Sequence, residues 1–204
     1  MDNKDRIIEG AAELFRKFGI RSVTMDSIAG ELGISKRTIY EIFSDKDELL
    51  AGVLNWMTIR QREFLKRILK ESENPIEAIF RVLEFNRNHF ESMSPAFQAD
   101  VKKFILGLSS KKYKCDLPDY RNHQEIIEKG IKDGYFRKDV NPDLANRCLY
   151  YLGTSIMDYE LYPYELFSRN DVIRNTFINF LRGISSVKGL ELIDKLEANF
   201  IRIL

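Results

Sequence analysis

The sequence predicts an all-α protein in which an N-terminal three-helix unit is joined through a long helix to a C-terminal helical bundle. Apolar residues recur three and four positions apart along the chain, which is the spacing of one face of a helix. No segment shows the alternation of a strand convincingly. The 204 residues, 44% of them apolar, suffice for one large domain or for a small domain fused to a larger one.

The first fifty residues contain signals for a packing helix followed by a helix, a tight turn and another helix. Helical spacing over residues 4–18 ends at Gly19, which can stop a helix. Gly33 can adopt the left-handed conformation that ends a second helix, and Ser35 is a good N-cap for a third. The apolar face of the second helix consists of Met25, Ile28, Ala29 and Leu32.

The remainder of the chain is also helical in period. The start signal from Ser44 to Asp47 predicts a long helix from about Lys46 to Lys70. Because no Gly- or Ser-rich linker follows, we expect a rigid connection between domains at residues 1–46 and 47–204. Further helices are expected at 76–90, 95–106, 119–133, 143–162, 171–185 and 189–204, with a loop at 107–118.

Composition and cysteine spacing argue against several classes of protein. Cys115 and Cys148 lie far apart without a CxxC or His-rich pattern, which disfavours a disulfide framework or a zinc site and suits a reducing cytosol. No apolar run is long enough for a signal peptide or a membrane span, so we expect a cytoplasmic protein. Phosphate loops, metal-ligand spacings and nucleophile elbows are missing as well. We therefore expect no cofactor, no metal and no enzymatic activity.

The exposed face of the third helix is suited to reading DNA. Ile39, Ile42 and Phe43 are expected to point inward, which leaves four side chains pointing outward. These are Lys36, Arg37, Tyr40 and Glu41. A short exposed helix with adjacent bases, an aromatic hydroxyl and an acid has the groups needed in a major groove. The formal net charge of +1 gives no support by itself, so the contact depends on local placement of charge.

The pattern T-x-x-x-I-A-x-x-x-G-I-S-x-x-T-I-Y-x-x-F-x-x-K-x-x-L over residues 24–49 resembles the TetR family of transcriptional regulators. Phe15 and Gly19 of the first helix fit the family as well. The match covers about the first fifty residues, and the rest of the chain matches in architecture only. The sequence departs from the family at Ile42, where members often carry an aromatic or His residue facing the phosphate backbone.

This resemblance and the chemistry of the side chains give a set of expected DNA contacts. Lys36 or Arg37, in the first turn of the recognition helix, would bond a guanine. Glu41 would accept from a cytosine amine or, alternatively, remain a solvated surface residue. The other hydroxyl and ammonium groups would fix the register on phosphates. The whole expected set is Thr24, Ser35, Lys36, Arg37, Thr38, Tyr40, Glu41 and Lys46.

The resemblance also implies a homodimer held by a four-helix bundle across a two-fold axis. Two apolar stripes in the C-terminal part form the expected interface, and the alternative is that both stripes face the chain's own core. The expected interface residues are Leu149, Leu152, Ile156, Ile173, Phe177, Phe180, Leu181 and Ile184. A dimer would let one small recognition helix per subunit read the two halves of a palindromic operator.

A small-molecule site among the C-terminal helices is a further implication of the resemblance. Aromatic and polar side chains in this region permit such a pocket, and each of them is also typical of ordinary core or surface. The expected lining residues are Trp56, Arg60, Phe85, His89, Phe104, Tyr120, His123, Tyr150 and Met157.

Together these expectations predict a ligand-responsive repressor that binds double-stranded DNA as a homodimer. An unidentified small molecule in the C-terminal domain would change the spacing of the two recognition helices and release the operator. The alternative is a DNA-bound module whose C-terminal bundle recruits a protein partner instead, with the helix at 189–204 as a docking surface.

Overall fold

The computed structural model describes residues 2–106, 124–156 and 158–202. These residues form helices and no strand, apart from one isolated antiparallel bridge between Phe136 and Ser185. The helices are α1 (Asn3–Phe18), α2 (Met25–Leu32), α3 (Lys36–Ile42), α4 (Lys46–Glu71), α5 (Pro75–Glu91), α6 (Pro95–Leu106), α7 (Gln124–Lys132), α8 (Pro142–Ser155), α9 (Arg169–Val172), α10 (Asn179–Ile184) and α11 (Val187–Arg202). A π-helical turn over Ile173–Ile178 joins α9 to α10. The all-α prediction is confirmed.

Local signals set the ends of α2 and α3 where the sequence predicts them. The backbone N–H of Ser27 donates to Thr24 Oγ1 (3.1 Å), and the N–H of Thr24 donates to Ser27 Oγ (2.9 Å), which closes a capping box. Gly33 ends α2 in the left-handed conformation, at φ 62° and ψ 33°. Ser35 then caps α3 by accepting the Thr38 N–H at 3.1 Å.

One apolar core holds α1, α2 and α3 against the first part of α4 and against α6. Its fully buried members include Ile7, Ala11, Phe15, Ile28, Ile39, Leu49, Val53 and Phe97. Burying a side chain of the size of Ile or Phe stabilises the fold by roughly 1.5–3 kcal/mol. Because Ile39 and Phe43 both enter this core, the rotation of α3 about its axis is fixed.

The chain divides into two compact units whose boundary differs from the predicted one at residue 46. One unit contains α1 to α3, α4 as far as Gln61, and α6. The other contains α4 from Arg62, α5 as far as Phe90, and α7 to α11. The difference has a packing cause, because Leu49 and Val53 of α4 and Phe97 of α6 are buried in the N-terminal core.

In the second unit, α8 ends at Ser155, although helical spacing predicts a helix as far as residue 162. Two side chains explain the early end. Asp158 Oδ1 accepts the N–H groups of Glu160 (3.0 Å) and Leu161 (3.2 Å), which turns the chain. The Arg169 guanidinium donates to the carbonyl oxygens of Ile156 (2.9 Å) and Tyr162 (2.6 Å) and holds this turn against α9.

The apolar stripes expected at a dimer interface pack mainly inside the second unit. Six of the eight residues are buried in the core of the single chain: Leu149, Ile156, Ile173, Phe177, Leu181 and Ile184. Leu152 and Phe180 are half-buried and pack against the same core. Within one chain, the apolar area of these residues joins α8 to α9 and α10.

Several predicted features lie outside the described residues. They are the loop at 107–118, the start of the helix expected at 119–133, and the candidate pocket residues Tyr120, His123 and Met157. Among the helices that are described, none is both long and apolar enough to cross a membrane.

Candidate nucleic-acid interface

The outward face of α3 carries the four side chains that the sequence predicts there. Lys36, Arg37, Tyr40 and Glu41 are all exposed, whereas Ile39 is fully buried. The Arg37 side chain is 88% exposed, so its guanidinium lies on the surface that a groove would meet. Seven residues long, α3 presents this face in less than two turns, with both cations in its first turn.

Both cations of α3 are paired with carboxylates of the same unit. Lys36 Nζ lies 2.7 Å from Asp26 Oδ1 of α2, and Arg37 Nε donates to Glu41 Oε1 at 2.9 Å within α3. The hydrogen bond to Asp26, together with its charge, raises the pKa of the Lys36 ammonium above its usual value. The same ammonium lies 5.8 Å from the centre of the Tyr40 ring. These contacts hold the two cations in defined positions on the exposed face.

The expected hydroxyl contacts lie at the starts of α2 and α3. Thr24 and Ser35 are N-caps, so their side-chain oxygens already accept a backbone N–H each. Ser35 Oγ also lies 2.9 Å from Thr38 Oγ1, where either hydroxyl can donate. A phosphate oxygen near either helix start would meet hydroxyl groups and the positive end of the helix dipole.

Lys46, at the start of α4, is less free than the sequence suggests. It is half-buried, with Nζ 6.0 Å from the centre of the Phe15 ring. Burial lowers the pKa of the Lys46 ammonium, and the nearby carboxylates of Asp100 and Asp47 partly oppose this. Lys46 therefore lies beside acids rather than projecting alone into solvent.

Asp100 of α6 is a residue of this surface that the sequence does not reveal. Its Oδ2 accepts the Arg21 N–H at 3.0 Å, and its Oδ1 lies 3.4 Å from the Arg21 guanidinium. The Asp100 side chain is mostly buried at this contact. Nearby, the Ser94 N–H donates to the Arg16 carbonyl at 2.9 Å. These bonds attach α6 and the residue before it to the end of α1 and the turn that follows α1. No local pattern links residues so distant in sequence.

The candidate pocket residues that the structure describes fall into both compact units. Trp56, Arg60 and Phe104 belong to the first unit, where the Arg60 guanidinium lies 4.4 Å from the Trp56 ring centre. The second unit holds Phe85, which stacks on Phe64 at 3.8 Å and on His89 at 5.6 Å between ring centres. Also in the second unit, Tyr150 contacts the Tyr151 ring edge to face.

Arg87 is a second residue whose position the sequence does not reveal. It continues the buried face of α5 formed by Ile76, Phe80 and Leu83 at helical spacing. A charged residue at the next position of an apolar stripe is a signal that could have identified it.

Comparison with known proteins agrees with a DNA-binding role for the N-terminal helices. The family model described as "Bacterial regulatory proteins, tetR family" matches residues 7–53, which span α1 to the start of α4. The uncharacterized HTH-type transcriptional regulator YhgD of Bacillus subtilis is 30% identical over 149 residues, covering 71% of this chain and 77% of that protein. The HTH-type transcriptional repressor KstR2 of Mycobacterium tuberculosis is 29% identical over 162 residues, covering 72% of this chain and 75% of that protein.

A solved structure resembles the chain over nearly its full length. The gamma-butyrolactone receptor described as an ArpA-like protein superposes with a TM-score of 0.62, covering 98% of this chain and 96% of that chain. Its sequence identity is 20%, so the likeness shows a shared fold alone.

Proposed function

Because the chain belongs to the tetR family of bacterial regulatory proteins, it is a transcriptional regulator, and we propose that it is a ligand-responsive repressor of a palindromic operator. Its relatives are named as regulators of transcription and not as enzymes. The observation that carries the proposal is the exposed, basic first turn of α3, whose orientation is fixed by the buried Ile39 and Phe43.

DNA would be read by exchange of the ion pairs on α3. Arg37 leaves Glu41 for the O6 and N7 atoms of a guanine, and Glu41 then accepts from a cytosine amine or returns to solvent. Lys36 remains beside Asp26 and contributes its remaining N–H donors to a neighbouring base or phosphate. Thr24, Ser35, Thr38, Tyr40 and Lys46 would contact phosphates and fix the register.

A homodimer would present two copies of α3 to the two operator half-sites. Since the predicted stripes are largely buried, the apolar residues left on the outer face of α8 are the better candidates for the contact. Leu144, Cys148 and Tyr151 are exposed there and lie four and three positions apart, which places them on one side of the helix. A second copy of the same face would cover them around a two-fold axis.

The response to a ligand would act through α4, which contributes residues to both compact units. A small molecule bound in the second unit would shift the equilibrium between a form that fits the operator and a form that does not. A coupling of roughly 1–3 kcal/mol is enough to change operator affinity by tenfold to a hundredfold. The repressor half of this proposal is supported by the relative from Mycobacterium tuberculosis, which is named as a transcriptional repressor.

A second candidate function is recruitment of a protein partner by the second unit. The segment after α8 exposes five large apolar side chains: Tyr159, Leu161, Tyr164, Leu166 and Phe167. Exposed apolar patches commonly mark interaction surfaces. Under this alternative the chain would bind its operator without responding to any small molecule.

Selection of preferred DNA from a random pool tests the repressor proposal. The purified protein should enrich a palindrome, and a variant with Lys36→Ala and Arg37→Ala should not. Both side chains are exposed, so the variant is expected to fold, which circular dichroism checks. A folded dimer that enriches no sequence at low salt would contradict sequence-specific repression.

A further inference from the structure

Arg87 occupies a position where an apolar residue is expected. On α5 the buried side chains Ile76, Phe80 and Leu83 follow one another at helical spacing, and Arg87 comes one turn later on the same face. Arg87 is only 7% exposed. The guanidinium therefore lies within the apolar core of the second unit.

The Arg87 guanidinium has no anionic partner among the described residues. Its Nε and Nη1 atoms are buried and lack any hydrogen-bond partner, which leaves three N–H donors unsatisfied. The Phe200 ring of α11 covers the guanidinium at 4.8 Å from its centre. The ring attracts the cation through its π-electrons but supplies no oxygen or nitrogen acceptor to the N–H donors. A buried charge without such a partner is costly, so its retention requires a cause.

Two half-buried arginines of this unit, Arg169 and Arg182, show how the fold can satisfy a guanidinium. Arg169 donates through Nη1 and Nη2 to two carbonyl oxygens and leaves only Nε without a partner. Arg182 lies 2.6 Å from Asp194 and 2.7 Å from Glu197 of α11. Arg87 differs from both, because neither carboxylate nor carbonyl in the described part of the chain reaches it.

We propose that Arg87 binds the anionic head of the effector, and that the effector is an organic oxyanion with an apolar body. The unsatisfied donors call for carboxylate or phosphate oxygens. The apolar body follows from the neighbours of the guanidinium, since Leu83 and Phe80 precede it on α5 and Phe200 covers it. This inference rests on the proposed function, because it names the chemistry of the ligand to which the repressor responds.

Stability of the free protein tests whether Arg87 lacks a partner. Arg87→Met keeps an unbranched side chain of similar length and removes the charge. If no anion of the chain itself pairs with Arg87, the variant should unfold at the same or a higher temperature than the wild type in ligand-free buffer. A clear fall in the unfolding temperature would show an internal anionic partner and overturn the proposal.

Ligand binding tests the proposal directly. The probes are decanoate, decyl phosphate and decanol, each below its micellar concentration, titrated into the wild type, Arg87→Met and the control Arg81→Met. Arg81 lies on the same helix and pairs with Glu71 near the surface. We expect at least one anionic probe to bind the wild type and Arg81→Met, and to bind Arg87→Met more than about tenfold more weakly. Decanol should not distinguish the three proteins.

The two anionic probes separate carboxylate from phosphate as the preferred head group. If neither binds the wild type more tightly than Arg87→Met, or if decanol binds as well as both, the proposal is overturned. Operator binding is measured in parallel. Loss of probe binding with operator binding intact would remove this inference alone, whereas a protein that binds no operator would remove the proposed function.

Discussion

Arg37 and Lys36 show how a chain with almost no net charge can present a DNA-binding face. Each cation is held by one acid of its own unit, at 2.9 Å for Arg37 with Glu41 and 2.7 Å for Lys36 with Asp26. Exposed pairs of this kind are weak, typically worth about 0–1 kcal/mol, so DNA can compete for the cation. The acids position the cations in the free protein and limit binding to unrelated anions.

Replacing Arg37 by Ala separates base reading from phosphate binding. If Arg37 bonds a guanine, Arg37→Ala should weaken binding to the preferred operator by roughly 1–3 kcal/mol and relax the choice of base at one position in each half-site. Fluorescence anisotropy against the operator and its single-base variants measures both effects. Equal weakening on every sequence would show that Arg37 contacts phosphate.

Asp100 is predicted to restrain DNA binding through charge. Its carboxylate lies beside Arg21 and Lys46, two cations near the start of the DNA-binding helices. Asp100→Asn keeps a hydrogen-bond acceptor for the Arg21 N–H but removes the negative charge, so operator affinity should rise by up to about tenfold at low salt. Glu13→Gln, an exposed change of the same charge on α1, controls for net charge. Equal effects of the two variants would rule out a specific role for Asp100.

At the level of elements, the sequence predicts those helix ends that depend on neighbours in sequence. Thr24, Gly33 and Ser35 set α2 and α3 through bonds that span three or four residues. The end of α8 depends on a distant residue as well as on the nearby Asp158. The apolar spacing continues past Ser155, but Arg169 reaches back thirteen positions to the Ile156 carbonyl and ends the helical course.

The π-helical turn between α9 and α10 is also not predicted by the α-helical spacing of apolar residues. Val172 and Ile173 are buried, and so are Phe177 and Ile178 five positions later. A spacing of five keeps both pairs on one face only when the helix is locally widened. A period of 3.6 residues per turn therefore describes these buried positions less well, although it still predicts a helix in this part of the chain.

Gly189 provides an element-level prediction at the start of α11. A Cβ there would overlap the Tyr135 carbonyl oxygen and approach Ser185 Cβ to 3.1 Å. Because the Tyr135 oxygen is backbone, Gly189→Ala should destabilise the second unit by roughly 1–3 kcal/mol. Gly183→Ala is the matched control on α10, where an added Cβ meets nothing within 4 Å, and it should be neutral or stabilising by about 0.5–1 kcal/mol. Urea unfolding of both variants measures these effects. Equal midpoints for the two variants would contradict the close packing of Gly189 against the Tyr135 carbonyl.

For the molecule as a whole, the sequence predicts the DNA-binding motif better than the rest of the site. Residues 24–49 form a continuous pattern whose caps, core and exposed face can be read together. Asp100 and Arg87 lie on other helices and gain their roles from contacts made only in the folded chain. The apolar stripes of α8 to α10 are identifiable from their helical spacing, but the spacing does not tell which of their residues pack within one chain.

Tyr151 tests how two copies of the chain would meet. It is 62% exposed on the outer face of α8, beside Leu144 and Cys148. Tyr151→Glu should shift the protein from dimer to monomer in sedimentation velocity, because the new charge would be buried in the interface without a partner. Ile59→Glu, at an apolar position on α4 that is 54% exposed, should leave the dimer intact. An unchanged dimer in Tyr151→Glu would place the interface elsewhere.

The composition of the protein–DNA complex tests the central claim most directly. Native mass spectrometry of the protein with its selected operator measures the number of chains on each duplex. We expect an even number, at least two, on each palindromic duplex. A duplex with one half-site scrambled should bind far more weakly, since both recognition helices are needed for full affinity. A single chain bound with full affinity, or equal binding to the scrambled duplex, would contradict a dimeric repressor that reads a palindrome through α3.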